Sequence, residues 1–337
     1  MRRAGGLWVR IPEMDNMLCA FRKAAIGKAA CIEVASFRQD LHATLRTAAD
    51  RLSAGRYFFG PYRCFMVRDP KPRLIRVAPF EQRVVHHALI NIVGPVLDRS
   101  LIHHTYACRR GKGQHAALQQ ALRWTRCSPW YLKMDIERFY DSVDHRALKE
   151  LLVRRFRECP LLDCLGRLID SHELTTGCGM PIGNLSSQYF GNTYLDGFDH
   201  WLKESNSCRA YLRYMDDMLV FGESPDALKA LRNAAEAWLH EHRKLRLKNR
   251  GEINATEAGV PFLGYVLRPD RVRLHPRCAR RFSRKIKRLR RLHDKGEFDD
   301  QDLQSRSVAL HAAIGWRNTE GLRRAVARRQ APIKGYA

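Results

Sequence analysis

Acidic residues are scarce in this sequence: 337 residues hold 35 Asp and Glu against 60 Lys and Arg, a net charge of +25. An excess of that size calls for a polyanionic partner, either nucleic acid or an anionic membrane surface. Long hydrophobic runs are missing too. No stretch approaches the ~18 apolar residues that span a bilayer, which makes membrane the weaker partner. The chain opens with Arg2 and Arg3 but lacks the apolar core of a signal peptide. None of its ten cysteines forms a C-x-x-C pair, so neither a zinc site nor a disulfide framework is indicated. They read as reduced thiols of a cytosolic enzyme. Disorder is excluded by a 45% apolar content. The length allows two or three domains at about 150 residues each.

What is present centres on two carboxylates. Tyr214-Met215-Asp216-Asp217 lies between the apolar runs Ala210–Leu212 and Met218–Phe221, both of which read as short strands. Adjacent carboxylates at a hairpin tip repel each other unless a counter-charge is supplied. A divalent metal is the usual remedy, and a rigid carboxylate pair can anchor two ions for phosphoryl transfer. An acidic turn between strands is the plainer reading of the tetrapeptide alone. A second strand, Trp130–Ile136, carries Asp135 near its end and runs into a helix expected over Arg146–Arg157. Asp135 and Asp216 are 81 positions apart, so only tertiary folding could join them. A strand ending in Asp beside an Asp-Asp hairpin is the palm arrangement of nucleic-acid polymerases. There, three carboxylates hold two metals, one activating the primer 3′-oxygen and one stabilising the leaving pyrophosphate.

Basic charge concentrates late in the chain, with 12 Lys or Arg among the 25 residues from Arg271 to Lys295. Phe282, Ile286, Leu289 and Leu292 fall on one helical face, which predicts a helix over Pro276–Leu292 with its cations turned to phosphates. Two more helices are expected over Gln301–Trp316 and Glu320–Arg329. After Asn184, a good N-cap, apolar residues from Leu185 to Leu202 recur at helical spacing. That helix would point its positive end at a phosphate-rich site. The pairs His86-His87 and His103-His104 lack neighbouring ligands at metal spacing and read as packing or nucleic-acid contacts.

From about Tyr57 to Tyr265 the chain resembles a reverse transcriptase of the group II intron-like superfamily, and within it the enzymes of diversity-generating retroelements. Tyr214–Asp217 matches the Y-x-D-D signature. Lys71-Pro72-Arg73-Leu74-Ile75 and Phe80–Leu89 resemble the fingers motifs, and Tyr106–Ala116 the segment leading into the palm. Asp135 with Phe139-Tyr140 and Ser142–Asp144 resembles the first catalytic strand. Phe262-Leu263-Gly264-Tyr265 resembles the turn that grips the primer. Group II intron enzymes usually have Gln before the Gly of the next motif and Ser-Pro at its end. Ile182-Gly183-Asn184-Leu185-Ser186-Ser187-Gln188 instead has an aliphatic residue and Ser-Gln, as the diversity-generating enzymes do. A Gln amide could hydrogen-bond the incoming nucleotide, whereas Ile182 cannot.

The resemblance implies an α+β right hand: an N-terminal extension (1–56), fingers (57–125, with part of 146–180), a ferredoxin-like palm (126–268) and a helical thumb (269–337). Catalysis would fall to Asp135, Asp216 and Asp217, with the Ile136 carbonyl joining them around two Mg²⁺ ions, Mn²⁺ being a substitute. Lys71, Arg73, Tyr140, Ile182 and Gln188 would meet the nucleotide, Tyr140 as the steric gate against ribose. Arg76 and Arg83 compete with Lys71 and Arg73 for the triphosphate. Lys248 is the candidate general acid for pyrophosphate. Arg109, Arg110 and Lys112, with Arg284, Lys285 and Arg288, would contact the nucleic-acid backbone.

Implied partners are a template RNA, a cDNA or DNA primer, deoxynucleoside triphosphates and a small, basic, helical, oligomeric accessory protein. The implied setting is the cytoplasm of a bacterial, archaeal or phage host. No segment after the basic helices resembles an endonuclease, RNase H or integrase, which suits a minimal enzyme. Two other readings are a retron or group II intron-type enzyme of ordinary fidelity and a non-catalytic RNA-binding protein. Retention of all three aspartates argues against the last.

Overall fold

The acidic hairpin belongs to a four-stranded antiparallel sheet. The computed structural model describes residues 3–28, 31–68, 72–171, 176–205 and 208–316. In chain order come helices α1 (Met14–Ala25), α2 (Ile32–Gln39) and α3 (Leu41–Ser53), then a hairpin of β1 (Arg63–Arg68) and β2 (Pro72–Val77). Next are α4 (Phe80–Ser100), α5 (Gln114–Cys127), β3 (Trp130–Asp135), α6 (Phe139–Ser142), α7 (His145–Val153) and α8 (Cys159–Asp170). They lead to α9 (Leu185–His200), β4 (Tyr211–Tyr214), β5 (Asp217–Gly222), α10 (Pro225–Arg243) and β6 (Glu252–Ala255). A three-stranded sheet, β7 (Val260–Phe262), β8 (Tyr265–Leu267) and β9 (Val272–Leu274), precedes α11 (Pro276–Asp294) and α12 (Asp300–Ala313).

The larger sheet has the order β4-β5-β3-β6, with every pair antiparallel. With α9 and α10 as crossovers it forms a β-α-β-β-α-β unit of ferredoxin-like order. Alternation along the strands supplies two cores. Leu132, Met134, Tyr211, Met218 and Val220 point to one face and join Tyr194, Phe198, Leu228 and Leu239 of α9 and α10. Tyr131, Leu212, Leu219 and Phe221 point to the other, against Ala117, Leu118, Ala121 and Leu122 of α5 and the β7–β9 sheet. Burying one such side chain contributes about 1.5–3 kcal/mol. Several of them outweigh the roughly 1–3 kcal/mol that a strained turn residue costs.

In α1, Met17, Ala20, Phe21 and Ala24 are buried at helical spacing and share a core with Val84, Leu89 and Val93 of α4. The helix expected over Arg146–Arg157 stops at Val153, because Phe156 leaves it to become fully buried and to bridge with Ala4. Asn184 does occupy the N-cap of α9, yet its side chain makes no capping bond. The Pro276–Leu292 expectation matches α11, whose Phe282 and Ile286 pack on Ile314. The helix expected over Glu320–Arg329, like Lys71, lies outside the described residues.

Candidate active site

The strand pairing settles the first question. Asp135, the last residue of β3, stands directly opposite Asp217, the first residue of β5. Tyr214 and Asp217 are themselves a cross-strand pair, so the tetrapeptide is not all turn. Only Met215 and Asp216 make the bend, and Met215 adopts φ 56° at its first position. A two-residue hairpin demands such a positive φ. Two contacts hold Met215 there. Its carbonyl accepts from Arg213 Nη1 at 3.1 Å. Its side chain also packs close to Gly191, where an added Cβ would stand 3.2 Å from Met215 Cε and 3.1 Å from Phe139 Cε1.

Arg213 is wholly buried. Its Nε and Nη2 reach the two Asp199 oxygens at 2.7 and 2.6 Å, and Nη1 donates to Asn192 Oδ1 at 3.0 Å. Tyr211 and Thr105 hydroxyls complete Asp199 at 2.6 and 3.0 Å. Every partner of this buried pair is satisfied, the condition under which such a pair is tolerated.

Burial raises the Asp216 carboxyl, with Asp135 adding to it and Arg73 and Arg213 opposing. Asp217 is pushed up to about 7, first by burial and then by Asp135 and Asp216, against the pull of Lys133. Lys133 Nζ stands 3.6 Å from Asp217 Oδ1, too far to hydrogen-bond, and donates instead to the Pro261 carbonyl at 2.8 Å. Asp217 Oδ1 is therefore buried with no hydrogen-bond partner. Lys248 Nζ donates to Asp135 Oδ2 at 2.8 Å, and that bond raises its pKa.

An unsatisfied carboxylate oxygen beside two more carboxylates fits a divalent cation. The site is no protein-only cage: among the described residues, no three Asp, Glu, His or Cys side chains form a ready-made metal cluster. Magnesium is commonly held by one or two carboxylates with substrate phosphates completing its shell. Ile136 bridges to Leu247 through the Glu137 N–H and the Arg246 carbonyl (2.9 Å), a bond that does not use its own carbonyl.

The residues expected around the nucleotide partly converge. Tyr140 is raised by burial and next by Asp216, and the charge of Arg73 acts on both. The Tyr140 carbonyl accepts from the Met180 N–H at 2.7 Å, which ties it to the half-buried Ile182 turn. Gly183, at φ 107°, brings that turn against the hairpin, an added Cβ lying 3.5 Å from Ile75 Cγ2. Gln188 is half-buried in the first turns of α9. Arg83 faces elsewhere: with Arg63 it grips Glu33, at 3.0 and 2.5 Å.

Arg109 is engaged within the protein. Its guanidinium is held by Asp98 of α4 at 2.6 Å and by the Ile102 and Thr105 carbonyls of its own loop at 2.6 and 3.1 Å. These bonds tie the loop to the end of α4. Arg110 is exposed, and Lys112 is half-buried beside His103. Phe262 and Tyr265 are buried, leaving Leu263 (φ 44°) and Gly264 (φ 87°) as the presented turn. Gln114 Nε2 donates to the Leu263 carbonyl at 2.9 Å, and the His275 N–H to that of Gly264 at 2.9 Å. Arg284, Lys285 and Arg288 lie on the exposed side of α11.

Sequence reasoning missed Arg213, Asp199, Asn192, Gly191 and Lys133. Arg213 alone left a signal, a charge inside the apolar run Tyr211-Leu212-Arg213-Tyr214, where alternation with exposed neighbours fails.

A carboxylate-bearing ferredoxin-like sheet followed by a small sheet and basic helices defines a nucleotidyl-transferring polymerase of mixed helix and sheet. Residues 68–267 match the family described as Reverse transcriptase (RNA-dependent DNA polymerase), and the chain belongs to that family. It is an RNA-directed DNA polymerase, of a class that uses divalent metal ions and takes an RNA template, a primer and deoxynucleoside triphosphates. It is 24% identical over 269 residues to Protein YkfC of Escherichia coli (strain K12), covering 66% of this chain and 71% of that one. It is 22% identical over 219 residues to the Putative COX1/OXI3 intron 1 protein of Saccharomyces cerevisiae, covering 62% of this chain and 25% of that one. The apo telomerase structure from Candida tropicalis aligns with TM-score 0.49 and 13% identity, over 64% of this chain and 49% of that one. No helix among the described residues is long and apolar enough to cross a membrane.

Proposed function

We propose that this reverse transcriptase serves a diversity-generating retroelement, copying a template-repeat RNA into cDNA with frequent errors at adenines. The observation that carries it is Ile182, an aliphatic side chain in a turn that follows the Met180–Tyr140 backbone bond and lies close to Ile75. An amide there could reward a correctly placed nucleotide with a hydrogen bond, and an aliphatic side chain offers none. The assignment divides the chain into an extension (1–56), fingers (57–125 with part of 146–180), palm (126–268) and thumb (269–337). Mg²⁺ would be held by Asp135, Asp216 and Asp217 with the Ile136 carbonyl, and when bound it supplies activation of the primer 3′-oxygen and stabilisation of pyrophosphate. Arg73 steadies the triphosphate, Tyr140 excludes ribose, and Lys248, held as an ammonium by Asp135, delivers a proton to the leaving group. A small basic accessory protein completes the system.

A second reading, an intron-type enzyme of ordinary fidelity, is favoured by the yeast relatives, whose names place them in introns. Single-nucleotide insertion kinetics separate the two. Ile182→Gln should lower misincorporation opposite template adenine several-fold, and unchanged misincorporation would sink the proposal. A neighbouring pair of near-identical DNA repeats differing mainly at adenines is expected under the first reading only.

A further inference from the structure

The histidine pair His103-His104 takes part in neither catalysis nor the core. The loop that carries it runs along the outer edge of β4: Arg213 N–H donates to the His104 carbonyl at 3.0 Å, and Tyr106 N–H to the Arg213 carbonyl at 2.9 Å. There the rings form a run. His103 and His104 meet edge to face at 5.0 Å, His104 lies 4.9 Å from Trp124 of α5, and Trp124 lies 6.0 Å from Phe221. Two ammonium groups flank it. Lys203 sits 5.4 Å over Trp124 and spends one of its three donors on the Arg209 carbonyl, and Lys112 lies 3.1 Å from His103 Nε2. His103 is exposed, and His104, Lys112, Trp124 and Lys203 are half-buried.

Nearby acids are already engaged. Asp98 is held by Arg109, Asp199 is buried with Arg213, and Glu204 pairs with His200 at 2.6 Å. The patch is therefore cationic and aromatic together. Lys112 foremost holds His103 below its usual range, and burial lowers His104 to about 4. Both shifts disfavour the charged form of the rings, which present imidazole faces beside the indole. Trp124 packs on Phe221, which lies four residues, or about 13 Å of strand, from Asp217.

We propose that this edge binds a single-stranded stretch of RNA outside the polymerising cleft, bases stacking on the rings and phosphates meeting Lys112 and Lys203. Stacking on aromatic side chains tolerates any base, and ammonium groups track the backbone without reading sequence. A duplex, with its bases already stacked, would gain nothing from the rings. The inference does not depend on the fidelity or retroelement type of the enzyme.

Binding of a fluorescent 12-nucleotide RNA to the full chain, with the cleft filled by excess annealed primer–template, tests it. Trp124→Leu, which keeps an apolar side chain on Phe221, should weaken binding about tenfold. Lys203→Gln should reduce the slope of log affinity against log salt by about 1. Primer extension on the annealed duplex and the melting temperature should stay unchanged for Lys203→Gln. Wild-type affinity and slope in both variants would overturn the proposal, as would absence of RNA binding once the cleft is filled. Binding to anionic phosphatidylserine vesicles that Lys203→Gln abolishes while RNA binding persists would assign the patch to a membrane surface and overturn it too.

Discussion

Arg213 donates a hydrogen bond to the carbonyl of Met215, two residues further along the chain, while a bidentate pair with Asp199 fixes its guanidinium. The Met215-Asp216 bend is thus propped from inside the protein by a charge that no solvent reaches. Truncating one partner of a buried pair strands the other, at a cost of about 3–5 kcal/mol. Asp199→Asn should therefore lower the melting temperature sharply and reduce primer extension even at temperatures where the variant remains folded. A melting temperature within a degree or two of wild type would contradict this.

Asp217 predicts a pH dependence. Its carboxyl is pushed up to about 7 in the folded protein, and in the unfolded chain it titrates near 4. Between roughly pH 4 and 7 the native state keeps a proton that the unfolded chain has released, so this group's contribution to stability falls as pH rises through that window. Metal-free melting curves of wild type and Asp217→Asn should differ by that slope, with the variant flatter. A divalent ion needs the carboxylate, so added Mg²⁺ should raise the wild-type melting temperature more at pH 8 than at pH 6. Equal increments at both pH values would argue against Asp217 as a ligand.

Gly191→Ala sets two small effects against each other. Alanine favours the helix by about 1 kcal/mol, while the added Cβ, 3.1 Å from Phe139 and 3.2 Å from Met215, costs about 1–3 kcal/mol in overpacking. The net change in stability should lie between none and a loss of about 2 kcal/mol. The displaced Met215 bend should lower kcat for nucleotide addition several-fold, and steady-state kinetics with an unchanged kcat would show that the bend tolerates the shift.

Lys248→Ala distinguishes chemistry from packing. The pair with Asp135 is partly exposed, with side chains 43% and 35% accessible, and such pairs contribute only about 0–1 kcal/mol to stability. A general acid contributes about 10²-fold or more to rate. The expected result is a kcat loss near 10²-fold with the melting temperature nearly unchanged. A loss below about tenfold would leave Lys248 as a tether for Asp135.

Much of the candidate site was legible because its signals are local. The apolar runs on either side of Asp216 and Asp217 are short and buried along their length, as inner strands are, and the stripe of Phe282 and Ile286 follows a helical period. Strand ends were harder. Tyr214 and Asp217 looked like turn residues, yet a two-residue bend allowed them to pair. Arg109 shows the limit. A cation in a glycine-rich loop looks free for phosphate, and only the fold shows Asp98 and two carbonyls around its guanidinium.

The chain by itself determined three aspartates, a polyanion-seeking charge and a set of amphipathic elements, because each depends on residue type and short-range period. Tertiary structure decided which groups face those aspartates. Asp135 meets Asp217 across 82 residues, Lys248 reaches Asp135 across 113, and Asp199 is sealed beneath Arg213. Burial and cross-chain pairing set the charge state and the geometry of the site, and neither is written in any local stretch of sequence.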